Sequence, residues 1–148
     1  MRKALRVALA ALTAVPLLVL AGGVAAFLSQ GVGRPIRWEL PNSYRGWLVV
    51  EYAVARCPPL STSGMYLVIK LSSEGRACTS SSAPIGWRYH KYEYVSPDGT
   101  RTAVRSAGHT DRLVWPITYG PAGNRELIFI GTEAELRQRW NTAPWQDQ

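Results

Sequence analysis

Few residues of this chain are of types that could carry out chemistry, and their spacing builds no recognised site. His109-Thr-Asp111 could place two metal ligands on one side of an extended segment, but a metal site needs three or four ligands. His90 is the only other histidine, so we interpret the segment around His109 as a polar loop. Glycine-rich phosphate loops, zinc-type cysteine spacings and common hydrolase motifs are absent from the sequence. The sequence thus predicts no catalytic residue, no metal and no cofactor.

A pair of carboxylates could also be catalytic, because glycoside hydrolysis uses two of them. Glu51, Glu93 and Asp98 are the candidates, although nothing in the sequence brings two of them together. A Ser-His-Asp triad also stays open, since serines are plentiful, but no serine is marked as activated. We therefore keep as an alternative a small hydrolase that acts on envelope polymer, with Glu93 or Asp98 as its acid.

Aromatic side chains are numerous, with six tryptophans and seven tyrosines in 148 residues. Most are expected to fill the core and rim of a small β-domain. The functional alternative is an exposed aromatic face that stacks on a sugar or a peptide. Its candidate ligand-binding residues are His90, Tyr92 and Tyr94, which share one face of a predicted strand, together with Tyr66 on the polar face of another.

The two cysteines, Cys57 and Cys78, each lie at the edge of a predicted strand. In an oxidising compartment they would form a structural disulfide that closes a loop of 22 residues and stabilises the fold by roughly 3 kcal/mol. Two free buried thiols are the alternative, because cysteine behaves as a small hydrophobe. A redox-active pair is disfavoured, since the spacing is unlike C-x-x-C.

The N-terminus predicts export. Arg2, Lys3 and Arg6 precede an uncharged run of 22 residues, Val7 to Leu28. That length favours a retained anchor, since a spanning helix needs about 20 apolar residues and a signal-peptide core about 7–15. Val24-Ala25-Ala26, however, suits a signal peptidase, so a cleaved signal stays open.

Both interpretations keep the basic N-terminal end in the cytoplasm and put residues 30–148 outside it. The chain is then either anchored to the inner (cytoplasmic) membrane through residues 7–28 or secreted into the periplasm or cell exterior. We divide it into a signal peptide or signal anchor, a linker, a single β-domain and a tail. These parts span residues 1–28, 29–35, 36–140 and 141–148.

The net charge is +7, and three cations precede the apolar run, so 7 − 3 leaves about +4 for the rest of the chain. The arginines of that remainder are dispersed and interleaved with acids. Because no basic block is present, we predict no nucleic-acid partner. Attraction to an anionic membrane or polymer surface stays open.

Apolar runs recur every 10 to 20 residues with turn residues between them, which predicts an all-β domain. We expect a small β-sandwich or open barrel of about seven strands with one short C-terminal helix. The prolines of residues 57–64 predict a loop there. The expected strands span residues 47–54, 65–71, 76–80, 87–95, 101–105, 113–119 and 126–130.

Periodicity and capping residues refine this prediction. Alternation places Leu48, Val50, Tyr52 and Val54 on the inward face of the first predicted strand, and Met65, Leu67, Ile69 and Leu71 on that of the second. Thr132 and Glu135 have the spacing of a capping box, so a helix should begin there. Leu136 and Trp140 lie four residues apart and are expected to dock that helix on the sheet.

Several short motifs together resemble a known bacterial family. They are P-x-x-Y-x-G-W-x-x-x-E-Y at 41–52, P-P-L at 58–60, S-x-x-G at 72–75, T-S-S at 79–81, G-W-x-x-x-x-Y-x-Y at 86–94 and F-I-G-T-E-A-E-L at 129–136. The family consists of uncharacterised envelope proteins with a domain of unknown function, and the resemblance covers about residues 38–140. It implies a signal or lipoprotein segment at the start, although this chain lacks the lipid-bearing cysteine. No activity or catalytic residue carries over from it.

The favoured function is therefore a non-enzymatic envelope protein, structural or binding, with an unknown envelope protein or polymer as its partner. Beside the hydrolase, a second alternative is an assembly partner that lends an edge strand to other exported proteins.

Overall fold

The structure is a computed structural model that describes residues 33–86, 88–106, 111–119 and 124–144. The predicted apolar segment of residues 7–28, His109 and residues 145–148 of the predicted tail lie outside the described residues. Within these ranges, no helix combines the length and the apolar character needed to cross a membrane.

The described residues form nine strands, followed by one α-helix and a single 3₁₀ turn. The strands are β1 (Ile36–Pro41), β2 (Gly46–Glu51), β3 (Ser61–Ser63), β4 (Tyr66–Lys70), β5 (Arg76–Cys78), β6 (His90–Val95), β7 (Arg101–Ala103), β8 (Val114–Tyr119) and β9 (Arg125–Ile130). Helix α1 spans Glu133–Arg139, and the 3₁₀ turn spans Trp140–Thr142.

These strands form two mixed sheets. The five-stranded sheet has the order β3-β4-β1-β6-β7, and the four-stranded sheet has the order β5-β2-β9-β8. β1 lies at the centre of the larger sheet and runs parallel to both β4 and β6. In the smaller sheet β2 is antiparallel to β9 and parallel to β5.

One apolar core joins the two sheets as a sandwich. In β1 the alternation of side chains buries Ile36, Trp38 and Leu40 and turns the residues between them outward, as expected for a strand with one core face. The opposite sheet contributes residues of β2, β8 and β9. The buried cluster contains Ile36, Trp38, Leu40, Leu48, Val50, Tyr52, Ile69, Leu71, Tyr92, Val104, Val114, Ile128 and Ile130.

The mostly β fold with one C-terminal helix agrees with the sequence prediction, but the strand count does not. The structure adds β1 and β3 and forms two separate sheets rather than a barrel. β3 lies in the stretch predicted as a loop, because pairing with β4 begins at Ser61, two residues after Pro59. Met65, predicted to face inward, is 67% exposed, because it lies in the turn between β3 and β4.

The predicted helix start is present. The Thr132 hydroxyl accepts a hydrogen bond from the Glu135 backbone N–H, and the Glu135 carboxylate accepts one from the Thr132 backbone N–H. This reciprocal pairing satisfies two donors that the first turn of a helix leaves free. Leu136 is buried, whereas Trp140 lies in the 3₁₀ turn, 44% exposed, with its ring 6.4 Å from that of Trp47.

Cys57 and Cys78 form a disulfide with an S–S distance of 2.03 Å. Cys57 lies in the loop after β2 and Cys78 ends β5, so the bond links this loop to the edge strand that pairs with β2.

Replacing both cysteines, C57S/C78S, should lower the free energy of unfolding by about 3 kcal/mol, because the closed loop restricts the unfolded chain. Urea unfolding followed by tryptophan fluorescence measures this change. Wild-type protein in reductant is the matched control and should unfold with the double variant. Equal midpoints for the oxidised wild type and the double variant, or two titratable thiols in the native protein, would contradict the expectation.

Candidate functional site

The predicted aromatic trio lies on the core side of β6. The ring of Trp38 stacks on Tyr92, with centroids 5.5 Å apart, and on His90 at 6.1 Å. Tyr92 is only 6% exposed, and Tyr94 is half-buried with its hydroxyl donating to the Tyr44 carbonyl at 3.1 Å. Their common face therefore packs between the sheets, because the alternation along β6 turns every second side chain inward. It does not form an exposed ladder.

Tyr66, the fourth candidate, lies apart from these three. The Arg37 guanidinium lies 4.4 Å from the centre of its ring, a cation–π contact. One face of Tyr66 is therefore already occupied by a side chain of β1.

His90 is held as a hydrogen-bond acceptor. The Trp38 indole N–H donates to His90 Nδ1 at 3.0 Å, which requires this nitrogen to be unprotonated. Burial lowers the pKa of His90, and the positive charge of Arg88 lowers it further. The geometry and the charge environment thus both favour the neutral imidazole.

The outer face of the five-stranded sheet carries a charged cluster built around Glu93, which is 5% exposed. Lys91 Nζ lies 2.6 Å from Glu93 Oε1, and the Nε atoms of Arg37 and Arg101 each lie 3.7 Å from Oε2. Arg101 also binds Glu39 at 2.6 Å, and Glu39 is in register with Glu93 on the adjacent strand. Three cations thus offset the repulsion between two neighbouring carboxylates.

This arrangement weakens the hydrolase alternative. Glu93 is buried and forms ion pairs with three cations, so its carboxylate is not open to a substrate. Asp98 lies in the β6–β7 turn, where its carboxylate accepts hydrogen bonds from the Thr100 backbone N–H and hydroxyl. These hydrogen bonds lower the pKa of Asp98. Glu51, the third candidate, pairs with Arg125 at 3.2 Å in the other sheet.

Sequence reasoning missed one unusual carboxylate, Glu126. It shares a face of β9 with core residue Ile128 and accepts a hydrogen bond from the Tyr52 hydroxyl at 2.7 Å. Burial raises its pKa, although the Tyr52 hydrogen bond opposes that shift. No motif marks Glu126, because its inward direction follows only from the pairing of β9 with β2.

The widest concave surface that we describe is lined by arginines, and we call it the arginine groove. Its volume is about 620 Å³, and its walls include Arg45, Arg105 and Arg112, together with Trp115, Asp111 and Glu133. The sequence gives no hint of this groove, because its walls come from four separate parts of the chain.

Each arginine of the groove has a defined environment. Arg105 forms an ion pair with Asp111, and Arg45 lies 3.5 Å from Glu135. Arg112 forms no ion pair among the described residues, and its guanidinium lies 3.9 Å from the centre of the Trp115 ring. The Trp115 indole N–H donates to the Gly131 carbonyl at 2.8 Å, which fixes the ring beneath Arg112.

The sheet edges bear on the assembly-partner alternative. β3, β5 and β7 are edge strands of only three residues each. The fourth edge, β8, contains Pro116 and a register shift between Pro116 and Thr118. Short edges, proline and bulges discourage strand addition. The described edges therefore give the strand-lending hypothesis little support.

No group of three or more potential metal ligands occurs among the described residues, and Asp111 is paired with Arg105. His109, the other predicted ligand, lies outside them.

The lowered pKa of His90 predicts that the fold loses stability at acid pH. A folded pKa below the unfolded value of about 6.5 means that the folded state binds fewer protons, so stability should fall as the pH drops below about 6.5. The variant H90Q should reduce this slope between pH 7 and 5 in urea unfolding. Q138A, at an exposed position of α1 that does not titrate, is the control and should keep the wild-type slope. Equal slopes for wild type and H90Q would contradict the role of His90.

Glu126 is expected to change the stability of the fold with pH in the opposite direction. Its folded pKa lies above the unfolded value, so stability should fall as the pH rises from about 4.5 through the folded pKa. At pH 8 the variant E126Q removes a partly buried charge and should raise Tm by about 4 °C, with no gain at pH 4. The control E74Q, at an exposed turn position, should show no gain at pH 8. A lower Tm for E126Q at pH 8 would contradict this prediction.

Comparison with known proteins agrees with the resemblance drawn from the motifs. No protein of curated function matches the sequence. The fold is similar to a 2.75 Å crystal structure of a candidate lipoprotein from Bacillus anthracis, with a TM-score of 0.58 and 19% identity over 76% of this chain and 79% of that chain. The sequence model described as Family of unknown function (DUF6843) matches residues 38–131, more than half of the chain. The chain therefore belongs to this family of unknown function.

Proposed function

We propose that this chain is an exported, membrane-anchored envelope protein whose β-sandwich is a non-enzymatic module that binds an anionic ligand in the arginine groove. The observation that carries the binding role is the stack of Arg112 on the fixed ring of Trp115 within a concave surface. Pockets with a few convergent polar groups are the usual place for a ligand.

The electrostatics of the groove favour an anion. Three arginines face two acidic wall residues, Asp111 and Glu133. Because Arg112 has no carboxylate partner among the described residues, its remaining N–H donors are available to a ligand. A guanidinium binds carboxylate or phosphate in a bidentate manner, so the ligand would be a polymer that carries either group.

Two features support the proposed location. The basic N-terminus followed by 22 uncharged residues is typical of an exported, anchored chain. The Cys57–Cys78 disulfide is typical of an oxidising compartment, since such bonds are rare in the cytosol. The lipoprotein description of the structural neighbour is in keeping with this location.

A binding measurement tests the groove. Full-length protein in detergent is titrated with two fluorescent probes, a deca-glutamate peptide and an inorganic polyphosphate of about ten units. At low salt at least one probe should bind, and the affinity should fall as salt is added. R112Q should weaken binding about tenfold, the effect expected when one charge-assisted contact is lost. The preferred probe distinguishes a carboxylate polymer from a phosphate polymer.

The matched control is R56Q, at an exposed arginine in the loop after β2, outside the groove. It should bind like the wild type. Failure of both probes to bind at low salt, or equal weakening by R112Q and R56Q, would contradict the groove as the binding site.

The location needs its own measurement. In a bacterial host the mature protein should retain its first residues and resist salt and carbonate washes. A chain that begins near Ala26 and is freely soluble would contradict the anchor and leave the export in place.

A further inference from the structure

The amino ends of three neighbouring strands meet at one end of the five-stranded sheet. β1 runs parallel to β4 and β6, with Ile36 in register with Leu67 and His90. The Pro35 carbonyl accepts a hydrogen bond from the Leu67 N–H, and the Ile36 N–H donates to the Tyr89 carbonyl, both at 2.9 Å. The residues just before these three strands therefore lie together, and we call this surface the entry end, because the chain enters β1 there.

The entry end exposes large apolar side chains. Met65 is 67% exposed, Ile85 is 88% exposed and Tyr89 is 66% exposed. Among the described residues, the one other exposed large hydrophobic side chain is Trp140, at 44%. Adjacent strands are about 4.8 Å apart, so β4 and β6, which flank β1, lie about 10 Å apart. Met65 and Tyr89 directly precede β4 and β6 and so lie at the same end of the sheet, and we refer to them together with Ile85 as the apolar patch.

Hydrogen bonds hold the loop of this patch against the entering chain. The Arg88 guanidinium donates to the Ile85 carbonyl at 2.6 Å and to the Arg34 carbonyl at 3.2 Å. Ile85 therefore lies in a loop that hydrogen bonds hold in place. This lowers the entropy cost of placing its side chain against another surface.

The charged residues of the entry end are all basic. Residues 33–38, 63–69 and 84–92 contain no aspartate or glutamate, and their cations are Arg34, Arg37, Arg88 and Lys91. Arg37 and Lys91 form ion pairs with Glu93, so Arg34 and Arg88 are the cations left to a lipid surface. On β1 and β6 the first acids are Glu39 and Glu93, each the fourth residue of its strand. An apolar patch with surrounding cations is complementary to a bilayer that contains anionic lipid.

We propose that the entry end rests on a membrane surface that contains anionic lipid. Ile85, Tyr89 and Met65 enter the headgroup region, where tyrosine is favoured, and Arg34 and Arg88 face lipid phosphates. The proposal rests on the anchored location argued above and adds the orientation of the domain. It also directs the carboxyl ends of β1 and β6 away from the membrane.

Photocrosslinking tests this orientation. The photoreactive residue p-benzoylphenylalanine replaces Ile85, Tyr89 or Trp140 one at a time in the full-length chain. The protein is reconstituted into vesicles of phosphatidylcholine and phosphatidylglycerol in a 3:1 ratio. Trp140 is the matched control, because it is exposed and packs near Trp47 in β2, which follows the carboxyl end of β1. Lipid adducts at positions 85 and 89 should exceed those at 140 at least fivefold, as measured by intact mass.

A charge variant tests the electrostatic part. With the photoreactive residue at position 85, R34Q should lower adduct formation in the anionic vesicles by up to about fivefold, and it should change nothing in pure phosphatidylcholine. R137Q, an exposed position in α1, is the control and should have no effect in either vesicle. An equal effect of both substitutions would overturn the role of the entry-end cations.

A carbonate wash of the same samples distinguishes failure of the membrane anchor from failure of the proposed orientation. If the chain is retained and positions 85, 89 and 140 give equal adducts, the orientation is overturned and the anchor stands. If the chain is washed off, the anchor fails, and the orientation fails with it. Near-ultraviolet circular dichroism confirms that each variant keeps the native packing before it is scored.

Discussion

The parallel pairing of β1 with β4 and β6 is the constraint on which the rest of the structure depends. Trp38 lies at the middle of β1 and is fully buried, with its ring on Tyr92 and its indole N–H on His90. Because all three strands point the same way, their amino ends form one surface and their carboxyl ends another. A hairpin arrangement would have placed turns at both ends and mixed these residues.

This arrangement places different kinds of side chain on the inner face, the outer face and the entry end of the five-stranded sheet. The inner face holds the stacked rings, where His90 serves as a neutral acceptor and its own protonation is disfavoured. The outer face holds Glu93, a buried side chain that forms ion pairs with three cations. Burial of an ion needs such partners, because an unpaired charge would shift its pKa or destabilise the fold. The apolar entry end adjoins the acid-free halves of the same strands.

The family motifs describe packing positions more than a binding site. The Tyr44 hydroxyl donates to the Trp47 carbonyl at 2.7 Å, and Gly75 lies directly beside the Tyr44 ring. A Cβ on Gly75 would come within 3 Å of the Tyr44 hydroxyl, and Gly75 also has a positive φ, so no other residue fits there without rearrangement. The motif glycine and tyrosine thus join the segment before β2 to the turn before β5. The surfaces that we assign to ligand and lipid lie largely outside these motifs, in Arg112, Trp115, Met65 and Ile85.

By itself the sequence determined the β class, the face of β2 that carries Leu48 and Val50, the capping box at Thr132 and the cysteine pair. Each depends on residues close in the chain or on there being just two cysteines. Tertiary structure alone decided that residues 36–41 form the central strand, that the aromatic face of β6 points inward and that Glu126 is partly buried. It also decided where the arginine groove and the entry end lie. The physical reason is that parallel pairing and sheet stacking bring together residues far apart in sequence, and local periodicity shows which side chains share a face without showing what that face meets.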